Sequence, residues 1–194
     1  MSDSDSSNHL LMNPARIDRT ITRIAFQIYE DTHGSDQLVI FGVSDRGYRL
    51  ATILAAKLSH IYHTQIRAFR IPLAGTSGNG ADQNNPGHSP DSDTSSLKKN
   101  QSEHPEKFPT VLNKKVVIMD DVMYSGRTMY QALQIVTDKE KPEEIKLAAL
   151  IDRGHRRYPI NIHYLGLYSP TKLKEHVRCR FKKNGDPDGV WLQA

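Results

Sequence analysis

The sequence predicts an α/β fold, a central and mostly parallel sheet flanked by helices, on three observations. Short apolar runs at 38–41, 115–119 and 145–151 read as buried strands, and they alternate with segments whose apolar residues recur at helical spacing. A charged or glycine-bearing turn follows each run, at 44–47, 120–128 and 152–157, and in open α/β sheets ligands bind at those carboxyl ends. The chain has 194 residues, 37% of them hydrophobic, which suits one domain.

The elements follow in order. Residues 1–12 read as a flexible tail. Asn13-Pro14 starts a helix, with Asn as N-cap and Pro at the first helical position. Ile17, Ile21, Ile24, Ala25 and Ile28 carry its apolar stripe through Glu30. Residues 34–37 turn into the 38–41 strand, which Gly42 bounds. A second helix spans 48–60 on Leu50, Ile53, Leu54 and Leu58, and 65–72 forms a further strand. Residues 75–106 differ: these 32 residues hold six Ser, four Gly, four Asn and three Pro, with Ala81 and Leu97 as their aliphatic side chains. Such a segment buries too little apolar surface to offset its ordering entropy, so a disordered loop is expected inside a domain running from 13 to 194. After Val111, 115–119 is a strand closed by Asp120-Asp121, 124–128 a turn and 129–137 a helix. Residues 145–151 form a strand ending at Asp152, and shorter strands are expected at 163–168, 176–181 and 189–192.

Composition excludes several classes. The longest apolar stretches fall far short of the roughly 20 residues that cross a bilayer. The polar first eight residues have no apolar core of a signal peptide. The lone Cys179 forms neither an internal disulfide nor a thiolate zinc site, which fits a reducing cytoplasm. Its alternation with Arg178 and Arg180 makes it a small core residue on a half-buried strand. Net charge is +4, but 146–183 holds ten Lys or Arg against Asp152 and Glu175, an excess of eight positive charges. That basic third suits an anionic partner (phosphate, nucleotide or RNA) or a solvated basic face.

Residues 116–128 carry the sharpest chemistry. An apolar strand places them in the sheet. Asp120 and Asp121 close it, where a polyol or hydrated cation can sit. A turn of Tyr124, Ser125, Gly126, Arg127 and Thr128 then opens a helix whose free N–H groups and dipole suit a phosphate monoester. Ser125 and Thr128 add hydroxyl donors, and Gly126 permits close approach. Carboxylates for a ribose and amides for its 5′-phosphate thus lie one turn apart. An ordinary strand-turn-helix with a Ser cap, or a bare Mg²⁺ site, are the alternatives. Gly42 and Gly47 fit the opening of a Walker A spacing, yet Tyr48 and Arg49 stand where Lys and Ser/Thr belong, which disfavours a P-loop.

This segment resembles the phosphoribosyl pyrophosphate (PRPP) signature of the type I phosphoribosyltransferases. The run from Leu150 through Asp152, Arg153, Gly154, His155, Arg156 and Arg157 to Ile160, with 164–166 and 169–171, resembles the PyrR family, pyrimidine-operon attenuators with uracil phosphoribosyltransferase activity. Thr22, Arg23, Ile24 and Ala25 also look like that family's first helix. The resemblance covers roughly 14–73 and 111–194. It implies the type I fold with a small C-terminal hood. It implies that Ser44, Asp45, Arg46 and Gly47 form the pyrophosphate loop, and that Asp120 and Asp121 hold the ribose hydroxyls and stabilise positive charge at C1′. Residues 124–128 hold the 5′-phosphate, and Arg46 with a Mg²⁺ carried by PRPP takes up pyrophosphate charge. Asp152 and Arg153 line the base and pyrophosphate region or form a structural ion pair, and 166–171 form the hood.

The resemblance also implies partners: PRPP, uracil, UMP, pyrophosphate, leader mRNA and further copies of the chain in a dimer or larger oligomer. Thr22, Arg23, His155 and Arg156 match the family's RNA-contacting positions. Phe26 stands where His is usual, Asp31 near a usual basic residue, and Asn161 at another. The segment 75–106 stands where the family has a compact cover hairpin. Three readings remain: uracil salvage enzyme, nucleotide-sensing RNA-binding regulator with little turnover, and type I enzyme for another base.

Overall fold

The computed structural model describes residues 8–33, 37–73 and 108–193. The expected loop 75–106 lies outside them, as do 1–7 and most of the expected turn at 34–37.

The first helix, α1 (Pro14–Thr32), starts as its sequence dictates: the Asn13 side chain accepts from Arg16 N at 2.8 Å. That cap is worth roughly 1 kcal/mol, whereas burying each of its four inward isoleucines contributes about 1.5–3 kcal/mol. Packing therefore fixes this helix and the cap only sets its start. β2 (Leu38–Gly42), buried throughout, leads into α2 (Ser44–Tyr62). β3 (Ala68–Arg70) is shorter than the 65–72 expected. β4 (Lys115–Met123), α3 (Arg127–Lys139), β5 (Glu144–Asp152) and β6 (Tyr164–Tyr168) complete the main layer.

These strands form one five-stranded sheet, ordered β3-β2-β4-β5-β6, with every neighbouring pair parallel. Side-chain alternation along β4 builds a core on each face. Val117 and Met119 join α1 and α2, while Val116 and Ile118 join Met129, Ala132 and Val136 of α3. Phe41 stacks on Phe108 at 5.0 Å within the second core.

The small second sheet corrects one expectation. Residues 8–12 are not tail: they form β1 (Asn8–Met12), antiparallel to β8 (Pro187–Gln193), which pairs in turn with β7 (His176–Phe181). Met12 is 1% exposed and joins Val177, Cys179 and Val190 against the α1–α2 core. Only five residues long, β1 gains its stability from a distant strand that local sequence does not reveal. No helix among the described residues is long and apolar enough to cross a membrane.

Candidate active site

Three strand ends, those of β2, β4 and β5, converge at the carboxyl edge of the sheet. At the first, Ser44–Gly47 is not a separate loop. It is the opening turn of α2, which begins four residues before the expected 48. The reason is local: Ser44 adopts φ 61°, a left-handed conformation rare outside glycine, which turns β2 directly into the helix. Gly47 N then donates to Ser44 Oγ at 3.2 Å, and that hydroxyl lies 3.4 Å from Asp120 Oδ1. Asp45 is exposed and ion-pairs with Arg70 at the end of β3, whose guanidinium sits 4.5 Å from the Tyr48 ring. Arg46 is exposed. Arg70 is a cation of this edge that sequence reading missed; it ends a three-residue strand with no motif around it.

The acids do not close β4. They lie within it, Asp120 opposite Ala149 and Val122 opposite Ile151, because pairing with β5 continues to Met123. Each is 7% exposed. Burial, with the charge of Asp121 beside it, pushes the Asp120 carboxyl well above the usual aspartate range. Burial also raises Asp121, against the lowering pull of Arg46. Asp120 Oδ1 accepts from Asp121 N at 2.9 Å. Cys179, on β7, is buried here and its thiol is pushed up to about 12 by that burial and by Asp121.

Beyond Met123 the chain turns through half-buried Tyr124 and Ser125 to Gly126, at φ 85°, and enters α3. No acidic residue occupies the first turn of α3, and its leading N–H groups have no intrahelical acceptor. Arg127 and Thr128 are exposed, and Arg127 N donates to Ser125 Oγ at 3.3 Å. The β5 loop braces this turn: Arg157 N and Tyr158 N both donate to the Ser125 carbonyl oxygen, at 2.9 and 3.2 Å. Backbone donors and a helix dipole beside the exposed Arg127 and Thr128 are the chemistry that suits an anion.

At the third strand end both oxygens of Asp152 are occupied. Gly154 N donates to Oδ1 at 2.9 Å and Arg156 Nη2 to Oδ2 at 2.7 Å. Asp152 thus shapes the 152–156 turn. Arg153, 7% exposed, donates through Nε to Thr171 Oγ1 at 2.8 Å and through Nη2 to the Glu175 carbonyl oxygen. Its guanidinium carbon lies 4.5 Å from the Tyr124 ring centroid. Ser169 N donates to the Asp152 carbonyl oxygen at 2.8 Å, fixing where residues 169–175 leave β6. The sequence points to Thr171 only as part of the hood and does not single out Glu175, the second acceptor of Arg153.

The four residues matched to RNA contacts all have intramolecular partners. Thr22 Oγ1 donates to the Asp18 carbonyl oxygen at 2.8 Å. Arg23 Nη2 donates to the carbonyl oxygens of Leu165 and Gly166, at 2.8 and 3.1 Å, and Nη1 to Gln27 Oε1. His155 Nε2 contacts the Thr171 carbonyl oxygen at 2.6 Å, and Arg156 holds Asp152.

Among the described residues no group of three or more His, Cys, Asp or Glu side chains could hold a metal ion.

Known proteins resemble this chain in sequence and in fold. The phosphoribosyl transferase domain family matches residues 7–179. The bifunctional protein PyrR of Limosilactobacillus reuteri is 34% identical over 185 residues, covering 95% of this chain and 98% of its own. That of Geobacter sp. strain M21 is 31% identical over 188 residues, covering 97% and 99%. Among solved structures, the Leishmania tarentolae hypoxanthine-guanine phosphoribosyltransferase in complex with GMP superposes with a TM-score of 0.64 at 15% identity, over 97% of this chain and 98% of that one. The Trypanosoma cruzi hypoxanthine phosphoribosyltransferase in complex with IMP gives 0.61 at 15% identity, over 88% and 80%. At that identity the two structures share the fold.

Proposed function

As the chain belongs to the phosphoribosyl transferase domain family, and within it to the PyrR proteins, we propose that it transfers ribose 5-phosphate from PRPP to uracil, giving UMP and pyrophosphate. The observation that carries the reading is the continuity of one strand, turn and helix: two buried acids, then an anion-binding helix start, with the opening of α2 pressed against the first acid.

In this reading the C1′–oxygen bond breaks with its electron pair going to pyrophosphate as the bond from uracil N1 to C1′ forms, and the N1 proton passes to water or to the departing pyrophosphate. Asp120 and Asp121 accept from the ribose hydroxyls; their charge, once ionised, stabilises the positive charge that develops at C1′. Residues 124–128 bind the 5′-phosphate through the N–H groups that begin α3. Arg46 and the amides of 44–47 receive the pyrophosphate, beside the Asp45–Arg70 pair. Bound Mg²⁺ supplies charge neutralisation on the phosphate oxygens. The Asp152–Arg153 turn and the 166–171 hood form the base side. A cytoplasmic, homo-oligomeric protein completes the proposal.

A second reading, a nucleotide-sensing regulator with little turnover that binds leader mRNA, draws on Arg157, Lys172 and Lys174. These are exposed beside the base side, and none is in an ion pair among the described residues. The test is UMP formation from PRPP and uracil with Mg²⁺, with hypoxanthine and guanine alongside. Turnover confined to uracil supports the enzyme reading. Turnover of a purine would reassign the base, and PRPP binding without turnover would favour the regulator.

A further inference from the structure

We infer that Arg153 is a positioning residue that ties the base-side hood to the phosphate turn, acting through Thr171 and Tyr124. The inference rests on the reading of 124–128 as a phosphate site and of 166–171 as the hood.

Arg153 is unusual in its surroundings. Its side chain is buried, and no carboxylate forms an ion pair with it among the described residues. The Glu175 carboxylate is turned elsewhere, accepting from Lys172 N at 2.6 Å. A buried charge of this kind is costly unless its donors are satisfied. Here the satisfaction comes from three places: the Thr171 hydroxyl, the Glu175 carbonyl and the face of the Tyr124 ring.

Those partners come from separate segments. Tyr124 belongs to the turn between β4 and α3. Arg153 and His155 belong to the loop after β5. Thr171 and Glu175 belong to the segment between β6 and β7. His155 closes the ring of contacts: its ring centroid lies 5.1 Å from that of Tyr124, and its Nε2 donates to the Thr171 carbonyl oxygen. Thr171 is therefore held at hydroxyl and carbonyl by two residues that both pack on Tyr124. A ligand that fixes Tyr124 favours one placement of Arg153 and His155, hence one placement of 169–175.

The planar fork of arginine meets two acceptors while its face lies on an aromatic ring; a lysine ammonium cannot do all three. Lysine at 153 keeps the charge and loses the geometry, which separates positioning from simple electrostatics. Thr171→Val removes one link and leaves the cation in place.

The experiment uses the full chain as wild type, Arg153→Lys, Arg153→Met and Thr171→Val. Backbone amide exchange is followed across 169–175 and, as a control, across α1. Steady-state KM is measured for uracil and PRPP separately. Exchange over 169–175 should rise in all three variants while α1 stays unchanged. The uracil KM should rise about tenfold, with the PRPP KM within about twofold of wild type. Unchanged exchange over 169–175 in Thr171→Val and Arg153→Lys overturns the inference. So does an equal rise in both KM values, which would mean that Arg153 touches pyrophosphate itself. If wild type turns over no base, the uracil reading fails on its own, and the exchange comparison still decides the tether. Should Arg153→Met fail to fold, Thr171→Val carries the comparison.

Discussion

Gly47 packs against Asp120 at the limit of contact: a Cβ on residue 47 would stand 3.0 Å from Asp120 Oδ1 and 2.9 Å from the Met119 carbonyl oxygen. Both neighbours are fixed, one by the strand ladder and one by burial. The glycine therefore lets the start of α2 lie directly on the acid pair, and with it the proposed pyrophosphate turn on the proposed ribose site.

Gly47→Ala is the first prediction. One methyl group forces α2 and β4 apart, an overpacking cost of about 1–3 kcal/mol. Turnover should fall by more than the stability loss explains, because the acids and Arg46 separate. Thermal melting beside kcat/KM for PRPP checks this. Wild-type kinetics in a folded Gly47→Ala protein would contradict the close approach.

Asp120→Asn and Asp121→Asn should separate stability from activity. An acid whose pKa is raised by folding binds its proton more tightly in the folded state. Stability therefore falls as pH rises from the usual aspartate value of 3.8 through the raised folded values. Asparagine removes that loss. Each variant should melt above wild type at neutral pH, with the difference closing as pH approaches 3.8, while turnover drops by about 100-fold or more. Melting curves across pH and UMP formation are the measurements; a lower melting temperature at neutral pH would refute the assignment of the buried pair.

At the opposite edge of the sheet, Asp31 accepts from Tyr164 Oη at 2.9 Å and from Lys146 Nζ at 3.1 Å. Burial works to raise its pKa, and these two donors outweigh burial and hold it below 3.8. A depressed carboxylate stabilises above its unfolded pKa, and the contribution is lost as pH falls through the folded value. The Asp31 side chain is 46% exposed, so screening keeps the Lys146 pair to roughly 1 kcal/mol or less. Asp31→Asn should lower the urea midpoint at neutral pH and by a smaller amount at about pH 3, as the wild-type carboxyl begins to take up its proton. An equal loss at both pH values would place the effect in packing.

Arg23 joins α1 to the edge strand β6 through two carbonyl oxygens. Arg23→Ala should cost about 1–3 kcal/mol, the usual range for bonds from a charged donor. Any loss of RNA binding in that variant needs its melting temperature beside it. Arg157→Ala, whose side chain is exposed, should leave melting unchanged and weaken RNA binding if the β5 loop is an RNA face. Equal RNA affinity in the Arg157 variant would remove that loop from the interface.

Much of this architecture was legible because local patterns govern it. The Asn13 cap, the isoleucine stripe of α1 and the apolar runs of β2, β4 and β5 are short-range signals, and each element lies where they point. The acid pair and the turn to Thr128 were legible for the same reason: strand, turn and helix start are contiguous. What escaped depends on distant partners. β1 exists because β8 offers it an edge. β4 runs through its acids because β5 continues beside it, so residues that read as a strand end are buried. Arg153 read as a cation for a ligand, yet its Nε and Nη2 meet a hydroxyl and a carbonyl nearly twenty residues on or more. Spacing carries no trace of such contacts.

The measurement that bears most directly on the account is UMP formation from PRPP and uracil with Mg²⁺, run on wild type and Asp121→Asn side by side. Catalysis at the buried acid pair predicts uracil-dependent release of pyrophosphate by wild type, and a variant that stays folded and loses that release. A folded Asp121→Asn protein turning over like wild type would contradict it, as would a wild-type chain that binds PRPP and transfers it to no base.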